Sequence, residues 1–121
     1  IQRGEMAGTA LHDRVTELFG ELTARWWAMR TLSLSVSRLI DAGEAPSIES
    51  SLVKEMGTRF EIEVIEKLVE LVDQELTLES ESLFQRLLAQ CVLTGPGNTI
   101  RGGTIEILRS VAAKGLQGLP A

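Results

Sequence analysis

Tyrosine is absent from this chain and aromatic side chains make up only 4% of its 121 residues, although 44% are hydrophobic. Stacking platforms for bases or sugars are therefore scarce, and the apolar content is aliphatic, as suits helix packing. Cys91 is the one cysteine, which excludes an internal disulfide framework and agrees with a reducing compartment. His12 is the one histidine, so neither a zinc centre nor a di-iron bundle with two Glu-x-x-His pairs is available. Twelve Lys and Arg against 17 Asp and Glu leave a net charge of −5. That balance argues against nucleic acid, which needs a basic face. No apolar run approaches the roughly 20 residues that span a bilayer, and IQRGEMAGTA lacks a signal-peptide core. A cytoplasmic protein is expected, with neither nucleic acid nor membrane as partner.

What is present is helical periodicity. Leu11, Val15, Leu18, Leu22, Trp26, Met29, Leu32, Val36 and Leu39 follow one another in steps of three or four, which predicts a long amphipathic helix over about 11–42. Phe19, Trp27 and Leu34 widen its apolar face. Adjacent indoles diverge by about 100° on a helix, so Trp26 is expected in the core and Trp27 against another helix, subunit or domain. Asp41-Ala42-Gly43 supplies a C-terminal glycine, with Pro46 beyond. A second helix over about 47–74 carries Ile48, Leu52, Met56, Phe60, Val64, Leu68 and Val72. A third, over about 80–94, places Cys91 on an apolar face with Phe84, Leu87, Leu88 and Val92, as a small buried hydrophobe. Thr94-Gly95-Pro96-Gly97-Asn98 ends it. A fourth over about 104–117 presents Ile105, Leu108, Val111, Ala112, Gly115 and Leu116. Short links predict an all-α, antiparallel (up-and-down) four-helix bundle over 11–121 behind a flexible segment, 1–10.

The candidate for chemistry is Arg101-Gly102-Gly103-Thr104 at the start of the fourth helix. Free N–H groups and the dipole at a helix start attract anions, and glycines let a ligand reach the backbone. Thr104 either caps the helix or donates its hydroxyl to that ligand; Glu106, in the first turn, already satisfies the dipole. An ordinary capped helix and a phosphate or cofactor site both remain open on the residues alone.

Gly103-Thr104-Ile105-Glu106-Ile107-Leu108-Arg109 resembles the closing motif of acyl-CoA dehydrogenases. Val111-Ala112 through Gly118-Leu119-Pro120 is similar to their I-A-x-x-x-L-G-L-P ending. Ala24–Glu44, followed by the helix around Val53-Lys54, resembles their pair of long helices joined by a glycine-containing turn, so the likeness covers most of Leu11 to Pro120. The resemblance implies the C-terminal domain of an FAD-dependent oxidoreductase that dehydrogenates the Cα–Cβ bond of an acyl-CoA thioester. It further implies Gly103 near the substrate thioester, Thr104, Ile105 and Glu106 along the flavin, and a homo-oligomer, dimer or tetramer, with this domain at its core. The family's base position is Gly102, which has no proton-accepting group, so no catalytic residue is assigned. The family's His-x-x-Gly-Gly motif is replaced by Glu70–Glu75. The N-terminal helical domain and middle β-domain are missing, and the chain alone is expected to bind no FAD and to be inert. The alternative is a non-catalytic helical oligomerisation or interaction module that kept the fold.

Overall fold

A computed structural model describes residues 2–72 and 74–118, with side chains from residue 10 onward. Asp73, Leu119, Pro120 and Ala121 lie outside the described residues, and with them the end of the Leu-Gly-Leu-Pro string. Among the described residues the chain is all-α, with four helices and no strand: α1 (Gln2–Asp41), α2 (Ser47–Leu71), α3 (Leu83–Thr94) and α4 (Ile105–Leu116). Among the described residues no helix is long and apolar enough to cross a membrane.

Three boundaries differ from expectation. The first helix was expected from about residue 11, whereas α1 begins at Gln2; the added stretch contains no proline, and isolated glycines such as Gly4 and Gly8 cost a helix only about 1 kcal/mol each. The second helix stops at Leu71, and the third starts only at Leu83, where the Ser82 hydroxyl accepts from the Gln85 N–H at 3.4 Å. The end of α3 at Thr94 falls where Gly95-Pro96 was expected to stop it. Gly95 keeps right-handed helical angles and the backbone continues as a short 3-10 helix, Gly95–Thr99, whose first turn accepts proline.

The α1–α2 turn is built as the glycine predicts. Gly43 has φ +84°, its N–H donates to the Ile40 carbonyl at 2.9 Å, and the Glu44 N–H donates to the Leu39 carbonyl at 3.0 Å. That is the paired bonding of a Schellman stop. It returns the chain so that α2 runs back along α1.

Helix α2 is the centre of the fold: α1, α3, the 3-10 turn and α4 all pack against it. Its apolar stripe explains why. A row stepping by four turns about 40° per step, so from Ile48 to Val72 it winds well past half a circle. It cannot face a single neighbour. Among the described residues the buried side chains are few: Leu88 and Ala89 of α3, Leu108 and Ala112 of α4, and the polar Ser51 and Thr58 of α2. Ser51 donates to the Ser47 carbonyl at 2.7 Å, and Thr58 accepts from Lys54 Nζ at 3.0 Å, so neither polar group is left without a partner.

On α1 the half-buried seam toward α2 runs through Leu18, Leu22, Arg25, Met29, Val36 and Leu39. Arg25 takes the place expected for Trp26. Its guanidinium meets Glu63 through two bonds of 2.6 Å and lies 5.4 Å from the Phe60 ring centroid. Trp26 is 49% exposed at the seam's edge, with Arg30 5.9 Å from its ring and Trp27 at an edge-to-face 5.6 Å. Cys91 is exposed rather than buried. It borders an open recess of about 480 Å³ between α2 and α3, with Ile65, Val69 and Val92, which neither helix fills.

The α2–α4 contact depends on one missing side chain. A Cβ on Gly115 would collide with Cδ1 and Cγ1 of Ile48. Gly115→Ala is therefore expected to lower stability by about 1–3 kcal/mol, the usual cost of overpacking. Gly20→Ala on α1, where a Cβ would meet nothing within 4 Å, is expected to raise it by about 0.5–1 kcal/mol. Urea denaturation of both variants checks the pair; equal shifts of the same sign would contradict the packing.

Candidate functional site

Helix α4 reaches its place through three contacts with α2: the burial of Leu108 and Ala112, the close approach at Gly115, and an ion pair. In the pair, Arg109 donates from Nε at 3.0 Å and Nη2 at 2.8 Å to Glu55 Oε1. Arg59, one turn along α2, forms an ion pair with the same oxygen at 2.8 Å. Together these contacts run α4 antiparallel to α2, with its end on Ile48 and its start toward the middle of α2. The turn Arg101–Thr104 is the segment that lands there.

Both glycines of the turn have positive φ, +70° at Gly102 and +110° at Gly103. The first value lies near the left-handed region, which other residues enter at a cost; the second is open in practice to glycine alone. Space is not the constraint. A Cβ on Gly103 would meet Leu108 at an ordinary 3.6 Å, and one on Gly102 would meet only Lys54 Cε, at 3.8 Å. The backbone path therefore demands glycine at 103, and the bare surface follows from that path.

Thr104 is the N-cap of α4, with φ −70° and ψ 158°. Its oxygen accepts from the Ile107 N–H at 3.4 Å. Glu106 turns back toward the same helix start. Its carboxyl is held below the usual carboxylate range, first by the bond from its own backbone N–H and then by the Thr104 hydroxyl, with burial opposing and Arg109 adding attraction. Ile105 is half-buried at the helix's first position, and Gly103 is half-buried beside it.

Of the residues singled out in the sequence, the structure brings Gly102, Gly103, Thr104, Ile105 and Glu106 into one turn. It leaves His12 exposed on α1 and Cys91 exposed on α3, remote in sequence from that turn. It also adds neighbours that periodicity did not mark. Lys54 lies under Gly102 with its ammonium held by Thr58, and Glu55 anchors Arg109. The i, i+4 spacing of Lys54 with Thr58 and of Glu55 with Arg59 was legible as helix-surface pairing; the reach of Glu55 to α4 was not. Chemically the turn offers backbone and cation. Glu106 is held in its ionised form, a weak proton acceptor, while Arg101 and Lys54 offer positive charge and hydrogen-bond donors.

Residues 4–117 match the family model described as acyl-CoA dehydrogenase, C-terminal domain. The chain is 34% identical over 89 residues to acyl-CoA dehydrogenase FadE34 of Mycobacterium tuberculosis (strain ATCC 25618 / H37Rv), an alignment spanning 74% of this chain and 12% of that protein. No solved structure matches it.

The cap can be tested directly. Thr104→Ala is expected to cost about 1 kcal/mol at neutral pH and to raise the Glu106 carboxyl titration toward its ordinary value. A depressed folded-state pKa stabilises above the unfolded value and is lost as pH falls through the folded one. The Glu106 part of the variant's deficit should therefore close on acidification. Denaturation at neutral and acid pH, with an NMR titration of Glu106, measures both; an unmoved Glu106 titration would remove Thr104 from its stabilisation.

Proposed function

Since the chain belongs to the acyl-CoA dehydrogenase family and matches its C-terminal domain over residues 4–117, we propose that it serves as that domain in a larger FAD-dependent oxidoreductase. The substrate class is an acyl-CoA thioester, dehydrogenated between Cα and Cβ. The observation that carries the reading is the Gly102–Gly103 turn, where positive φ leaves backbone without side chains at the start of α4, inside the segment that matches the family.

In this reading Gly103 lies against the thioester, and Thr104, Ile105 and Glu106 border the flavin. The fit is through backbone and shape: the polar ends of Thr104 and Glu106 already serve the helix start, and Ile105 offers an apolar edge. Bound FAD supplies the acceptor for the hydride leaving Cβ. The Cα proton needs a carboxylate, which Gly102 lacks, so that group comes from another part of the enzyme. Lys54, held by Thr58 beneath the turn, contributes positive charge toward a thioester oxygen that gains electron density as the proton leaves. The remaining domains, which enclose flavin and acyl-CoA, are supplied by the rest of the enzyme, and the exposed apolar faces of α1 form part of a homo-oligomer core. One thiol and no disulfide suit the cytoplasm.

The missing carboxylate favours a second reading, a helical oligomerisation module that retains the fold without the chemistry.

The two readings separate on the full-length enzyme containing this domain. Stoichiometric flavin absorbance, bleached by an acyl-CoA, is expected of the first; a colourless protein that ignores acyl-CoA would establish the second. The 121-residue chain by itself is expected to show no flavin band. Gly102→Glu in the full-length enzyme should change the bleaching rate or its acyl-chain preference. The new carboxylate would stand beside Lys54 and be held ionised, so Gly102→Glu with Lys54→Met should be the faster base of the two. Identical rates in all three proteins would drop position 102 from the site.

A further inference from the structure

The most buried side chain among the described residues is a polar one. Thr58, in the middle of α2, is 2% exposed. Valine has nearly the same shape and would enter the core without desolvating a hydroxyl, so packing alone does not ask for threonine here. The hydroxyl is also used in a way of its own. Thr16, Thr31, Ser35 and Ser51 each donate to the carbonyl four residues back along their helix, at 2.7–2.9 Å. Thr58 has Lys54 four residues back, and its oxygen instead accepts from the Lys54 ammonium at 3.0 Å.

Lys54 depends on that bond. None of the ion pairs among the described residues includes it. Glu55, beside it in sequence, is committed to Arg59 and Arg109, and Glu106 to the start of its own helix. An ammonium carries three protons, and Thr58 takes one. A free lysine stem rotates about four carbons and carries its charge out to water. Held by Thr58, the half-buried side chain keeps its Cε 3.8 Å from where a Cβ on Gly102 would stand.

The charge is therefore presented to bare backbone. The N–H groups of Gly102 and Gly103 take no part in the backbone bonding of the turn. Their protons exchange with water at a rate that follows the local concentration of hydroxide. A cation some 4–6 Å away in water raises that concentration by about threefold or more. Amide exchange at the two glycines thus reads whether the ammonium is in place.

We infer that Thr58 is a positioning residue: its buried hydroxyl fixes the Lys54 ammonium beneath Gly102 and so sets the electrostatic field at the turn. The inference rests on the geometry for where the charge is placed, and on the proposed function for its use at the thioester. Base-catalysed exchange of the Gly102 and Gly103 amides, followed by NMR in the 121-residue chain at low salt, tests the placement without flavin. Lys54→Met should slow it about threefold or more. Thr58→Val should slow it as much with the thermal transition retained, and Thr58→Ser should leave it as in the wild type. Should the valine variant fail to fold, Thr58→Ala, which also lacks the hydroxyl, takes its place. Slow exchange in Lys54→Met with wild-type exchange in Thr58→Val would overturn the inference, leaving Thr58 as core filling. Unchanged exchange in Lys54→Met would overturn it as well, since no charge then acts on the turn. In the full-length enzyme, Thr58→Val and Lys54→Met should lower the limiting rate of flavin bleaching by acyl-CoA in equal proportion, and Thr58→Ser should restore it. Slowed exchange with unchanged bleaching would uphold the placement by Thr58 and remove Lys54 from the proposed chemistry.

Discussion

The close approach of α4 to α2 governs this fold. With no Cβ at position 115, the fourth helix settles onto Ile48, and Leu108 and Ala112 become two of the four buried apolar side chains. The Arg109–Glu55 bond then removes rotation about that contact. Everything said about the turn at 101–104 inherits its position from this joint. The site is thus placed by packing more than a turn downstream of it, and a change at Gly115 or Glu55 reaches the turn without touching it.

Much of this was readable before any coordinates. The helix count and the Gly43 stop follow from local rules, period, caps and turn residues, and the string after Gly103 was legible as a family resemblance. The errors have a common source. Periodicity says which side of a helix is apolar but not which side has a neighbour. Trp26 was assigned to the core because it sits on the stripe, whereas the seam admits Arg25, paired with Glu63. Cys91 shares a face with Leu88, yet only Leu88 is covered. The third helix does end at Thr94, as Gly95-Pro96 suggests, but the 3-10 turn that continues from it was not visible in the pattern. At the candidate site, the need for glycine was visible, but its cause was not: positive φ is a property of the path, and the path is set by α2.

Electrostatics divides the molecule into two kinds of charge. Arg25 and Glu63 spend theirs on register between α1 and α2, with the Glu63 carboxyl held below its usual range chiefly by the bond from Arg25, against the opposing effect of burial. A paired charge in a half-buried seam fixes alignment more surely than it adds stability. Around the turn the balance is different. Glu106 is consumed by the start of its own helix, and Lys54 is tied to Thr58, so the local surplus is positive and fixed in place.

The two glycines of the turn are not equivalent, and the difference bears on how such a protein changes over time. Gly103, at φ +110°, is required by the backbone; Gly102, at +70°, sits where other side chains stand at modest strain, with open space toward Lys54. A side chain at 102 would therefore carry the strain of a positive φ but meet no steric obstacle, while one at 103 would be refused by the path itself. Variation can enter this turn at 102 at the cost of one strained residue, leaving the joint, the cap and the packed helices beneath it as they are.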